Sequence, residues 1–257
     1  CALPIWILFI LFYLMSKGYE KNVYMAMLAE QCNRFEEMTE FLEDMLKGRD
    51  KDLNSDERNL LSIAYKNSLT SRRTALRTVI AYETKEKKKE NSSFLPYIQE
   101  YRLKVENELT KMCNNVLATI DGHLLKRAED AEAKVFYLKM KGDYNRYIAE
   151  YAQGDLKDKV SKAALDAYDS ATKDAKNLSP IHPIALGLAL NFSVFYYEVM
   201  GDHEKACVIA KDVLDVANKE MSQIEDPEEN ENHRDALSII NLLRENLDMW
   251  KMEAEEN

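Results

Sequence analysis

Seven glycines and five prolines in 257 residues leave little punctuation for anything but long helices. Most of them, Gly48, Gly122, Gly154, Gly201, Pro96, Pro180, Pro183 and Pro227, fall where an amphipathic helical pattern breaks. No stretch alternates apolar and polar residues for long, so strand signals are missing. The chain is expected to be all-α. The periodicity predicts nine helices, over 19–33, 35–47, 55–90, 95–127, 129–152, 157–178, 183–200, 204–222 and 232–253. Ser55 is the expected cap of the third, followed by Asp56 and Glu57 at the positive end of its dipole. Short connections imply antiparallel neighbours, as in stacked helical hairpins, although no repeat period of about 34 or 40 residues is found.

Composition narrows the function. With 46% hydrophobic and 31% charged residues the chain can bury a core and is too charged for a membrane protein. A net charge of -10 argues against nucleic acid, because phosphate-backbone affinity needs a broad basic surface. Cys1, Cys32, Cys113 and Cys207 are widely separated and form no C-x-x-C pair, which fits reduced thiols in a cytoplasmic setting. No metal or cofactor site is expected, since His123, His182, His203 and His233 form no zinc-like grouping. A serine-hydrolase elbow, a phosphate loop and an H-E-x-x-H motif are all missing, so no enzyme is expected.

Residues 1–14 are almost wholly apolar, yet fourteen residues of helix span about 21 Å, short of the ~30 Å hydrocarbon core. The stretch has neither a basic flank before it nor a small-residue cleavage site after it, and Met15-Ser16-Lys17-Gly18 resembles a start. We read it as an upstream extension outside the fold, with a membrane or partner anchor as the alternative. A single domain is expected over 15–252, and 253–257 as a short acidic tail.

Positive charge is nevertheless concentrated. Lys66, Arg73 and Arg77 stand at i, i+7 and i+11 on the third helix, within roughly 20° of one another around its axis. This line is either a solvated face or an anion site. Further along, Asp143 and Glu150 stand at i-3 and i+4 from Arg146, spacings from which carboxylates can hold a guanidinium. The seventh helix is apolar nearly all round and should be central, with Asn191 in its middle. That amide is either a satisfied core group or a partner for the backbone of an extended ligand. The ninth helix carries two apolar lines, Ala236, Ile240, Leu243 and Leu247 on one, Ile239, Leu242 and Asn246 on the other. One line can face the core and the other a groove.

The strings ERNLLSIAYKN from Glu57, KVFYLKMKGDY from Lys134 and LGLALNFSVFYYE from Leu186 closely resemble signature segments of the 14-3-3 family. With LAEQ from Leu28 and LLRENL from Leu242, the resemblance covers roughly residues 19–250. It implies a cup-shaped protomer with a concave amphipathic groove, which dimerises with itself or with another such chain. In that groove the protein would bind phosphoserine or phosphothreonine segments of client proteins and regulate their activity, localisation or interactions. The resemblance assigns the phosphate to Lys66, Arg73, Arg146 and Tyr147. It assigns the peptide to Lys139, Leu190, Asn191, Val194, Glu198, Ile239, Leu242, Asn246 and Trp250. The dimer interface would bring Leu28 and Cys32 against Ala75, Val79, Tyr82 and Tyr101, flanked by pairs Arg34 to Glu108 and Glu37 to Lys104. Neither nucleic acid nor a membrane is expected as a partner. The competing reading is a helical scaffold that grips unmodified acidic peptides with the same cations.

The chain also departs from the family pattern. Ser238 stands where many members have a groove-wall Leu, Ala75 where some carry a regulatory Ser, Leu76 in place of a neighbouring Trp, and Asp202-His203 in place of a Ser-Pro site. These differences leave the pocket residues intact and set family-style regulation apart.

Overall fold

The computed structural model describes residues 5–47, 49–89 and 92–256, with side chains from Gly18 onward and none at Glu256. Among the described residues there are nine helices and no strand. They are α1 (Ile5–Gln31), α2 (Phe35–Leu46), α3 (Ser55–Lys87), α4 (from Leu95 to Arg127), α5 (Ala131–Ala149), α6 (Gly154–Ala175), α7 (from Pro183 to Met200), α8 (His203–Met221) and α9 (Glu231–Glu256). Two of them contain a π-helical turn, Ile120–Leu124 in α4 and Tyr196–Met200 at the end of α7.

The elements agree with the sequence period, and the differences have local causes. Asn54, not Ser55, caps α3. Its side chain accepts from Glu57 N at 2.9 Å while the Glu57 carboxylate accepts from Asn54 N at 2.9 Å, so two otherwise orphaned donors are satisfied reciprocally. Asp130 caps α5 and Asp202 caps α8 by the side-chain bond alone, accepting from Ala133 N and Lys205 N. Gly122 does not end a helix: it lies inside the π turn of α4, following Asp121. Gly201 does end one, at φ 65°, a left-handed conformation that closes α7 without the backbone strain an L side chain would incur. At the other end, α9 continues through Glu253 to Glu256, so four of the five residues read as a tail are helical, and Asn257 lies outside the described residues. The backbone of α1 begins at Ile5 and includes most of the apolar stretch; residues 1–4 and the side chains up to Lys17 lie outside the described residues.

The chain divides into two compact units, Cys1–Val116 and Leu117–Asn257. In the first, α1 packs on α2 and α2 on α3, burying Ala26, Ala29, Met38, Leu42, Leu61 and Leu69. In the second, α7 touches α5, α6, α8 and α9, which accounts for an apolar character on almost all its faces. The stretch Pro183–Met200 is apolar enough for a membrane span, but 44% of it is buried in this core. Tyr168, Leu186, Phe192, Phe195, Leu243 and Leu247 form the centre of the cluster, where each large side chain removed from water contributes about 1.5 to 3 kcal/mol.

Candidate functional site

Helix α5 carries more polar and charged groups inward than a core helix should. Asp143, Asn145 and Arg146 are all buried on it, Arg146 being only 6% exposed. A lone buried charge is strongly destabilising, so each must find a partner. Arg146 finds several. Its Nη1 lies 3.2 Å from Glu150 Oε1 and its Nη2 3.7 Å from Asp143 Oδ1, the two partners that the spacing predicts. Its Nε donates to the Tyr168 hydroxyl at 3.3 Å, and its guanidinium sits 4.8 Å from the centre of the Tyr147 ring. Tyr147 is braced edge-on by Tyr144 at 5.4 Å.

Asp143 is the hub. Its Oδ1 accepts from the Tyr168 hydroxyl at 2.6 Å and from Asn191 Nδ2 at 2.8 Å, while its Oδ2 accepts from Lys139 Nζ at 3.0 Å. Burial works to raise the pKa of this carboxyl, but the Lys139 and Arg146 charges and the Tyr168 and Lys139 hydrogen bonds outweigh it, and Asp143 stays ionised. For Arg146 burial works against the charge, and Tyr168 and Asp143 more than offset it, so its pKa is raised. Burial beside the Asp143 carboxylate pushes the Tyr168 hydroxyl well above its ordinary value, so it too holds its proton.

Lys139, Asn191 and Arg146, expected to touch a ligand, are thus tied to one carboxylate. Sequence reasoning anticipated Asp143 and Glu150 but not Tyr168, which lies on α6, 22 residues from Arg146. One signal did exist. Gly142 lies inside α5, and a Cβ built there would stand 2.5 Å from a Tyr168 ring carbon, closer than any real contact. A glycine inside a helical pattern marks such a close approach.

The remaining expected peptide contacts lie on α7 and α9. On α9 the two apolar lines separate as anticipated: Ala236, Ile240, Leu243 and Leu247 are buried, whereas Ile239 and Asn246 are half-buried and Leu242 is 48% exposed. Leu190 and Val194 on α7 are half-buried, and Glu198 is exposed in the π turn. Trp250 is placed differently from a groove residue. It is 3% exposed and stacks at 4.7 Å on Tyr197, within the core. Ser238 is exposed and bonds back to Arg234 O at 3.1 Å, contributing no apolar contact.

In the first unit, α3 carries Lys66 and Arg77 exposed and Arg73 half-buried. Of the expected interface residues, Cys32, Leu28, Tyr82, Tyr101, Lys104 and Glu108 are exposed, while Ala75 and Val79 are half-buried. Tyr82 is 62% exposed and Leu28 45%, with Tyr24 and Met27 beside the latter on α1. Three of the four charges expected to pair across subunits have partners within the chain: Arg34 pairs with Glu37, and Glu108 lies 3.9 Å from Arg72.

The 14-3-3 protein family model matches residues 25–251, a range that runs through both units. The chain is similar to a 14-3-3 protein homolog of Trichoderma harzianum, 47% identical over 234 residues, which are 91% of this chain and 87% of that one. It is similar to the 14-3-3 family protein artA of Aspergillus flavus, 47% identical over 234 residues, covering 91% of this chain and 96% of the relative. The 14-3-3-like protein GF14 nu of Arabidopsis thaliana is 47% identical over 238 residues, covering 92% and 88% of the two chains. The chain is all-helical among its described residues and holds a buried arginine among carboxylates and tyrosines. It belongs to the 14-3-3 family. Membership supports the role of a non-enzymatic adaptor.

Proposed function

We propose that this chain is a dimeric cytoplasmic adaptor that binds phosphoserine or phosphothreonine segments of client proteins and regulates their activity, localisation or interactions. The observation that carries the reading is Arg146: a guanidinium kept charged while 6% exposed, clamped by Asp143, Tyr168 and Glu150 and flanked by Tyr147. A phosphate carries about two negative charges at neutral pH, and a planar guanidinium binds its oxygens bidentately. Lys66 and Arg73 join the phosphate site on the family resemblance. Asn191 and Asn246 are proposed to hold the peptide backbone, Lys139 and Glu198 to flank it, and Leu190, Val194, Ile239 and Leu242 to form an apolar wall.

The test compares one client peptide carrying phosphoserine, serine or glutamate at the same position. Fluorescence anisotropy should give an affinity for the phosphopeptide about a hundredfold or more above the serine form, with glutamate near serine. Each charge-assisted hydrogen bond contributes about 1.5 to 3 kcal/mol, so Arg146→Ala should weaken phosphopeptide binding roughly ten- to hundredfold, and Arg73→Glu at least as much. Equal binding of phosphoserine and glutamate peptides would mean a scaffold for acidic segments instead. Wild-type affinity in both variants would remove these residues from the site.

A further inference from the structure

A buried tyrosine in an aromatic core has no need of its hydroxyl, since phenylalanine fills the same space without a polar atom to satisfy. Tyr168 is fully buried, its ring 5.1 Å from that of Phe192 and 5.6 Å from that of Phe195. Its hydroxyl is nonetheless brought between Arg146 Nε and Asp143 Oδ1, at 3.3 and 2.6 Å, and α5 gives up a side chain at Gly142 to let the ring approach. We infer that the Tyr168 hydroxyl is a positioning group, which sets the direction of the Arg146 guanidinium and, through Asp143, the orientation of the Asn191 amide.

Donor and acceptor accounting fixes the arrangement. Arg146 Nε–H can only donate and an ionised carboxylate can only accept. The hydroxyl between them must therefore give its single proton to Asp143 and its lone pair to Arg146. The same carboxylate oxygen then demands a donor from Asn191, which turns Nδ2 inward at 2.8 Å and leaves the carbonyl oxygen of the amide on its other side for a ligand N–H. Lys139 closes the set on Oδ2, with its stem running beside Gly187 on α7, 3.5 Å from where a Cβ would stand. Nothing in this chain of bonds can be reversed without leaving a buried donor or acceptor unmet. Phenylalanine at this position would keep the packing and leave Arg146 Nε–H without its acceptor.

The functional half of the inference rests on the phosphopeptide reading above; the geometric half does not, and the experiment separates them. In the free, full-length protein the Arg146 Nε–H resonance, assigned by its loss in Arg146→Lys, should exchange slowly with water. An Overhauser contact to a slowly exchanging Tyr168 hydroxyl proton is expected as well. In Tyr168→Phe, with helicity and melting checked, exchange of the Nε–H should speed up at least about tenfold, and phosphoserine-peptide affinity should fall about five- to twentyfold. The serine peptide should not respond, and Tyr168→Phe should cost nothing further in an Arg146→Ala background. Unchanged exchange, or no Overhauser contact in the wild type should the variant fail to fold, overturns the inference. Faster exchange with unchanged phosphopeptide affinity overturns its functional half. A wild type that does not distinguish phosphoserine from serine sinks the adaptor reading, and the exchange result then decides the geometric half by itself.

Discussion

Gly142 gives the most direct reading of how one residue governs the site. A glycine inside a helix is about 0.5 to 1 kcal/mol less favourable than alanine, so on propensity alone Gly142→Ala should stabilise α5. The added methyl would instead meet three Tyr168 ring carbons at 2.5, 2.6 and 2.7 Å. Overpacking of this kind costs about 1 to 3 kcal/mol, so we expect a lower melting temperature by calorimetry and a loss of phosphopeptide affinity, because the ring carries the hydroxyl that Arg146 leans on. A melting temperature equal to or above the wild type's would show that the core yields there. The clamp of Asp143 and Glu150 on Arg146 was legible in the sequence because a helix converts spacing into proximity. Tyr168 was not legible. Its contact with Asp143 crosses 25 residues and depends on how α5 and α6 pack, which no local pattern encodes.

At the scale of elements, nearly all helices could be read from period and punctuation, and the misreadings were of termini and turns. Asn54 and Ser55 are both good caps, and only the return bond from Glu57 decides between them. Two π turns were invisible because a helix with one inserted residue keeps the same amphipathic character overall. What joins α3 to α4 is more specific. Glu83, 3% exposed on α3, accepts from Arg102 of α4 at 2.8 Å, from Gln99 at 3.3 Å and from Lys87 at 2.7 Å. The Lys87 and Arg102 hydrogen bonds hold its pKa down to about 2, against 4.5 in an unstructured chain. The unfolded state therefore takes up the proton first as pH falls. The contribution of Glu83 is complete above about 4.5 and is lost as pH falls through about 2. Glu83→Gln should lower stability to urea at pH 7 by about 1.5 to 3 kcal/mol, and the gap to wild type should narrow below pH 4.5. A gap that stays constant down to pH 2 would assign the effect to shape, not charge.

At the scale of the molecule, the proposal that the first unit meets a second copy or a related chain rests on the family resemblance. Tyr24, Met27 and Leu28 on α1 and Tyr82 and Tyr101 on α3 and α4 are exposed there and would supply the apolar contact. Exposed ion pairs contribute only about 0 to 1 kcal/mol, and Arg34, Glu37 and Glu108 already have contacts within the chain, so apolar burial should dominate assembly. Sedimentation at micromolar concentration should show a dimer that high salt barely dissociates. Ala75→Glu should weaken it by placing an unpaired charge in an apolar contact, and a mutant dimer of unchanged affinity would rule Ala75 out of the interface. One further consequence concerns the buried polar cluster on α5. Ion pairs in a protein interior can often be exchanged for well-fitted apolar side chains with neutral or improved stability, by up to about 4 kcal/mol. Directed evolution for heat resistance alone, with no phosphopeptide present, would therefore tend to convert Asp143, Arg146 and Tyr168 into hydrocarbon and deliver a tougher protein that recognises nothing.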